Sequence, residues 1–218
     1  MTLYGFWRSS ATWRVRIALA HKGLRFDYVP VNLGTGEHHR PEFHAKNPMG
    51  SVPVLELDVG GRPRRLAESL AILELLEELH PEPPLLPKDS FLRARARQIA
   101  LVAASGIQPL QNTSVRLYVE QTMHADAAAW IRHWNVRGLD ALEKLVGETA
   151  GRFAVGDAPS FADACLVPQL YFASQRAGVD LAPYPTLRAI DAACARLPAF
   201  AAAHAKNQPD TPADVRSV

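Results

Sequence analysis

Cysteine is scarce: Cys165 and Cys194 are the only two among 218 residues, so neither a disulfide framework nor a thiolate metal cluster is expected. Thiol chemistry would need a thiol from elsewhere. Charge of one sign is missing too. With 24 Lys and Arg against 22 Asp and Glu, the net charge is +2, which points away from nucleic acid and from a charge-driven membrane partner. No apolar run approaches the ~20 residues that a bilayer crossing needs, and no leader pattern of basic start, apolar run and small-residue cleavage site opens the chain. A cytoplasmic protein with neither a membrane nor a nucleic-acid partner is expected. Internal repeats and low-complexity segments are also lacking.

What is present suits a buried core. A composition of 48% hydrophobic and 21% charged residues over this length fits one large domain or two small ones. The stretches TLYGFW (2 to 7) and FDYVPVN (26 to 32) have strand character, and the segment from Thr12 to Lys22 between them has helical apolar spacing stopped by Gly23. This pattern predicts a βαβ unit with a parallel strand pair. The run from Val52 to Val59, the turn signal Gly60-Gly61 and a weaker strand predict a hairpin, followed by a helix beginning near Glu68.

Four prolines between positions 81 and 87 mark a stiff connection. Beyond it the composition turns to Ala, Leu and Arg, with helical windows at 91 to 121, 125 to 147, 161 to 177 and 185 to 204. The division expected is an α/β domain over 1 to 83, a linker over 84 to 90, an all-helical domain over 91 to 210 and a polar tail over 211 to 218. Ser160 and Asp163 have the spacing of a capping box, a helix-start signal that requires no chemistry.

The stretch FWRSSATWRVR (6 to 16) carries the first candidate chemistry. Ser9 and Ser10 stand where a strand turns into a helix, and unpaired amides there favour an anion, a thiolate included. The same serines also suit an ordinary helix cap. Further along, NPMGSVPVL places Pro53 directly before a strand, where a cis Val52-Pro53 bond would turn the Val52 backbone groups outward. In AESLAI, Ser69 at a helix start suits a carboxylate and the adjacent Glu68 suits an ammonium. Together the three segments suit an amino-acid head group.

These segments, with SGIQPLQN, GDAPSFADACLVPQ, VDLAPYPT and QPDTP, resemble the zeta class of glutathione transferases over nearly the full length. The resemblance implies a thioredoxin-like N-terminal domain, an all-helical glutathione-transferase C-terminal domain, a homodimer and glutathione as cofactor. By the same resemblance Ser9 would contact the glutathione sulfur, with Ser10 and Arg14 following in the motif. His38 would lie near the glycyl end, Val52 before cis-Pro53 would pair with the cysteinyl backbone, and Glu68 with Ser69 would hold the γ-glutamyl group. Gln108 and the segment Asn112, Thr113 and Ser114 would face the same cleft, while Arg8 and Arg176 would hold the carboxylates of a small dicarboxylate keto-acid substrate.

The activity so implied is glutathione-dependent cis-trans isomerisation of maleyl keto acids, taking maleylacetoacetate to fumarylacetoacetate in tyrosine and phenylalanine breakdown. Maleylpyruvate isomerisation, glutathione transfer to small electrophiles or α-haloacids, and glutathione binding with little turnover are the alternatives. Two departures from the class pattern stand out: Ala11 replaces the Cys of its Ser-Ser-Cys motif, and Glu68 stands where Gln is common.

His38, His39 and His44 lack the helical spacing of a metal site, so no metal is expected. The short basic runs RPRR and RARAR read as solvated faces, the two cysteines as small core residues, and Trp130 with Trp134 as core-facing.

Overall fold

Four short strands and three helices account for the first eighty residues. In the computed structural model, which describes residues 1 to 216, β1 (Thr2–Gly5) leads into α1 (Ser10–His21) and β2 (Asp27–Pro30). A short 3-10 turn (Glu37–His39) and α2 (Pro41–His44) precede β3 (Val54–Asp58), β4 (Pro63–Ala67) and α3 (Ser69–Leu79). The sheet order is β2-β1-β3-β4, with β1 parallel to β2 and β3 antiparallel to both its neighbours. This is the predicted βαβ unit followed by the predicted hairpin. β1 ends at Gly5, earlier than TLYGFW suggested, because the Phe6 carbonyl turns to accept the Ser9 amide at 3.0 Å. Both edge strands carry proline, Pro30 and Pro63, which blunts pairing with another chain.

The helical part contains α4 (Ser90–Leu101), α5 (Thr113–Gln121), α6 (Ala127–Gly147), α7 (Phe161–Gln175), α8 (Pro185–Ala195) and α9 (Pro198–Ala203). Two of the four predicted windows are each divided. The first widens into a π turn over Val102–Ile107 and tightens over Gln108–Gln111, where Pro109 has no amide to continue the ladder. Gly138 of α6 lets that turn approach, since a side chain there would overlap Ile107. The last window breaks before Pro198, which starts α9.

Contacts divide the chain into two units, Met1–Pro84 together with the segment from Leu197 onward, and Leu85–Arg196. The expected linker is thus shorter than 84 to 90: Leu85 and Leu86 are buried, and the Leu85 carbonyl accepts the Phe161 amide at 2.9 Å. The helical unit also closes earlier than position 210. Residues 197 to 216 belong with the N-terminal unit, and the polar residues at the start of the expected tail are used inside it. Thr211 is 2% exposed and donates to the Ala205 carbonyl at 2.7 Å, and Gln208 donates to the carbonyls of Ala202 and His204. Gln208 and Thr211 thus serve carbonyls around the end of α9, while Pro212, Ala213, Asp214 and Arg216 are exposed as the expected tail would be. Positions 217 and 218 of that tail lie outside the described residues.

Within the N-terminal unit, the buried Lys22 ammonium donates to the carbonyls of His80 and Pro83 and pairs with Glu77 at 2.7 Å, fastening the end of α1 to the end of α3. Within the helical unit, α7 is buried nearly all round and forms the centre. A triad of buried amides, Gln111, Asn135 and Gln169, joins the Gln108–Gln111 turn to α6 and α7. No helix among the described residues is long and apolar enough to cross a membrane.

The predicted capping box is formed at the start of α7. Asp163, fully buried, accepts from the Ser160 amide at 2.8 Å, the Ser160 hydroxyl at 2.9 Å and the Ala154 amide at 2.9 Å. Removing the carboxylate strands these three buried donors and the weaker Cys194 thiol, 3.9 Å away. Asp163→Ala is expected to lower stability by about 3 kcal/mol in urea unfolding, and Asp163→Asn, which keeps an acceptor, by less. An Ala variant within about 1 kcal/mol of the wild type would contradict this use of the box.

Candidate functional site

The strand register gathers the three candidate segments. Tyr4 stands opposite Val54, and Val54 opposite Ala67, so β1 leaves the sheet, β3 enters it and β4 leaves it at one edge. Ser9 follows β1, Val52 and Pro53 precede β3, and Glu68 and Ser69 follow β4. Both α1 and α3 therefore start at that edge and aim unpaired amides and positive dipole ends there. Gly5 makes the passage possible at the end of β1, because any side chain would overlap Thr12.

Ser9 is the N-cap of α1, and its Oγ accepts the Thr12 amide at 3.2 Å. The cap and the anion site are compatible, because a hydroxyl has one donor besides its lone pairs and no hydrogen bond among the described residues uses the Ser9 O–H. Ser10 is the first helical residue and is buried. Arg8 is exposed, with its guanidinium 5.5 Å from the Phe6 ring centre and 5.7 Å from that of Trp7. Ala11, at the place of the class cysteine, is half-buried on the first turn.

Val52 lies outside the ladder, which begins at Val54, and the Val52-Pro53 bond is cis. Glu68 is exposed and caps α3 with φ of 65° and ψ of 109°. A glutamate in that region is strained backbone, and such strain gathers at ligand clamps and active sites. Ser69 behind it is 5% exposed, and its Oγ accepts from Arg14 at 3.1 Å. Arg14 is itself 1% exposed. The resemblance offered it as a cofactor contact, but the structure places it beneath the site, steadying Ser69.

His38 sits in the turn between β2 and α2, half-buried, with its ring 3.8 Å from that of His39. Its Nδ1 is buried without a hydrogen-bond partner among the described residues. Burial, and then the neighbouring His39 and His44, hold its pKa below the usual histidine value, so the ring is neutral at pH 7. His44 turns its Nδ1 to the Pro48 carbonyl, and no group of three His, Cys, Asp or Glu placed to hold a metal is found among the described residues.

The remaining candidates belong to the helical unit. Gln108 is half-buried and donates to Asn112 Oδ1 at 2.7 Å. Asn112, Thr113 and Ser114 are exposed at the start of α5, and Arg176 is exposed at the end of α7. Burial pushes the Cys194 thiol up, with Asp163 adding to it, and Cys165 is fully buried. Neither cysteine is a nucleophile. Trp130 and Trp134, expected in the core, are both half-buried, and the Trp130 Nε1 donates to the Leu110 carbonyl at 3.0 Å.

Residue-type reasoning missed what stands behind the Ser9 turn. Arg16, Tyr28 and Asp210 surround it, and the only sequence signal was QPDTP, a polar stretch with no periodicity.

The donor set at the sheet edge has a definite chemistry. Glu68 suits an ammonium, Ser69 with the start of α3 suits a carboxylate, the free Val52 backbone suits an extended amide, and Ser9 with the start of α1 suits a thiolate. Glutathione carries all four groups, so the residues present fit it.

Comparison with known proteins agrees. The family models for the glutathione S-transferase N-terminal and C-terminal domains match residues 3–84 and 136–202. The chain is 46% identical to the maleylacetoacetate isomerase of Rattus norvegicus, covering 99% of this chain and 97% of the relative. It is likewise 46% identical to that of Pseudomonas aeruginosa, covering 98% and 100%. A solved maleylacetoacetate isomerase from Anaeromyxobacter dehalogenans, with GSH bound in the active site, matches with a TM-score of 0.90 at 51% identity over 97% of each chain. A maleyl pyruvate isomerase of the zeta class, in its holo form, matches with a TM-score of 0.91 at 43% identity over 97% of this chain and 100% of that one. With such relatives along almost its whole length, the chain belongs to the maleylacetoacetate isomerase family, the zeta class of glutathione S-transferases.

Proposed function

We propose that this protein catalyses glutathione-dependent cis-trans isomerisation of maleyl keto acids, with maleylacetoacetate as substrate in tyrosine and phenylalanine breakdown. The observation that carries the reading is the meeting of Ser9, Val52 and the Glu68–Ser69 pair at one sheet edge, in a chain whose full-length relatives are named for this reaction. Glutathione, held by Ser9, Val52, Glu68 and Ser69, would supply a thiolate nucleophile able to add reversibly to the conjugated double bond, which is what cis-trans interconversion requires.

The chain's own residues do the electrostatic work. The Ser9 O–H and the amides at the start of α1 favour an ionised sulfur over a thiol. Glu68, held in its strained conformation, takes the γ-glutamyl ammonium, and Ser69 with the start of α3 takes the adjoining carboxylate. His38, neutral at pH 7, serves the glycyl end as a hydrogen-bonding group and not as a cation. Arg8 and Arg176 are assigned to the substrate carboxylates, since guanidinium offers paired donors and stays charged. Gln108 and the segment from Asn112 to Ser114 are assigned to the same cofactor, on the resemblance alone. The reading includes a homodimer, for which light scattering should return twice the 23.9 kDa chain mass, and a cytoplasmic location.

The assay is conversion of maleylacetone and maleylpyruvate with and without glutathione. Turnover of at least one, and only with glutathione, is expected; inactivity on both would sink the isomerase reading, and turnover without glutathione would sink the mechanism. Ser9→Ala should lower kcat roughly a hundredfold, as loss of one charge-stabilising donor does, and Ala11→Cys should change it far less. The reverse order would remove Ser9 from its role. Arg14→Met, by releasing Ser69, should raise the KM for glutathione roughly tenfold. An unchanged KM would show that Ser69 needs no such support.

A further inference from the structure

The turn that delivers Arg8 and Ser9 is fixed on its main chain by groups distant in sequence. The Trp7 amide donates to Asp210 Oδ2 at 2.9 Å, and the Trp7 carbonyl accepts from Arg16 Nη2 at 2.8 Å. Arg16 also donates to the Ala203 carbonyl at 3.1 Å and to the Phe6 carbonyl at 3.4 Å. Tyr28 of β2 donates its hydroxyl to the same Asp210 oxygen at 3.3 Å. Arg16 is 1% exposed, and Trp13 of α1 meets the His204 ring edge-on at 4.8 Å. The main-chain donor and acceptor of Trp7, one residue before Arg8 and two before Ser9, are thus both occupied by these charged side chains.

We propose that Asp210 is a positioning residue for the sulfur site: by holding the Trp7 amide, it sets the turn that aims the Ser9 hydroxyl and the start of α1. The geometry gives it that reach without contact to any reactant. A hydrogen bond to a carboxylate is stronger than one to a neutral acceptor, and Arg16 holds the Trp7 carbonyl while Asp210 holds its amide. Thr211, one residue on, donates to the Ala205 carbonyl and does not touch the turn. The same segment therefore contains one residue that positions the turn and one that only secures the segment. The role rests on the proposed reading that Ser9 meets the glutathione sulfur.

The test follows the ionisation of bound glutathione by thiolate ultraviolet absorbance, together with kcat and KM, in Asp210→Ala, Asp210→Asn, Tyr28→Phe and Thr211→Val. In Asp210→Ala the bound thiol should titrate at higher pH than in wild type, and kcat should fall roughly ten- to hundredfold, as small misplacements of a reacting group do. Its KM for glutathione should stay within about twofold, because Val52, Glu68 and Ser69 are untouched. Asp210→Asn keeps the acceptor and should recover most of the loss, while Thr211→Val should lower thermal stability and leave the thiol titration in place.

Wild-type thiol titration and kcat in Asp210→Ala would overturn the proposal, as would a Thr211→Val variant that shifts the thiol titration as far. If Asp210→Ala does not fold, Tyr28→Phe decides: a few-fold loss of kcat supports the role, and none overturns it. A wild-type protein that binds glutathione but isomerises nothing would sink the isomerase reading alone, and the thiol titration would still decide on Asp210. One that does not bind glutathione would overturn both.

Discussion

The pairing of Val54 with Tyr4 on one side and Ala67 on the other is the constraint on which the site depends. It places one strand's start between two strand ends, so that two helices begin beside one backbone segment that lies outside the ladder. Neither helix terminus would be a specific site alone, since a free N-terminus attracts any anion. Their fixed spacing across β3 turns two general anion attractions into recognition of a molecule with charges at both ends. A slip of one residue in either pairing would turn every side chain of β3 to the other face and separate the segments.

Support for this edge comes from charged groups buried behind it. Arg14 steadies Ser69, and Arg16 and Asp210 steady the turn before Ser9. Lys22 ties the far ends of α1 and α3 together. A buried charge is costly unless its donors and acceptors are met; Lys22 donates to the carbonyls of His80 and Pro83, and Arg16 to those of Trp7 and Ala203. Of the positions proposed to meet a ligand, Arg8 and Glu68 are exposed, while Ser69 and Val52 are buried, Ser69 with the Arg14 charge behind it. The two cysteines take no part, being packed in the helical unit, which fits a chemistry whose thiol is carried in on the cofactor.

Much of this was legible in the sequence, and the reasons differ from residue to residue. The parallel pair, the hairpin and the starts of α1 and α7 follow from period, Gly60-Gly61 and the Ser9 and Ser160 caps, which are local signals. Ser9, Val52 and Glu68 are each ambiguous locally, and the ordered set of motifs made them a resemblance. The break at Gln108–Gln111 was hidden because helical apolar spacing resumes beyond Gly106 and Pro109, at Val115, Tyr118 and Val119. Arg14 could not be separated from a ligand contact, because its burial beneath Ser69 is a property of packing between α1 and α3. The role of Asp210 was hidden because its partners, Trp7 and Tyr28, lie some two hundred positions away. The strain at Glu68 is a backbone property with no signature in residue type.

The account's central claim is that a single sheet edge holds glutathione in one direction, with sulfur at the start of α1 and the γ-glutamyl end at the start of α3. A crystal structure of the protein with glutathione tests it most directly. The account predicts the sulfur within hydrogen-bonding reach of Ser9 Oγ, the cysteinyl backbone paired with Val52, and the ammonium at Glu68. Glutathione bound in the reverse direction, or away from this edge, would contradict it.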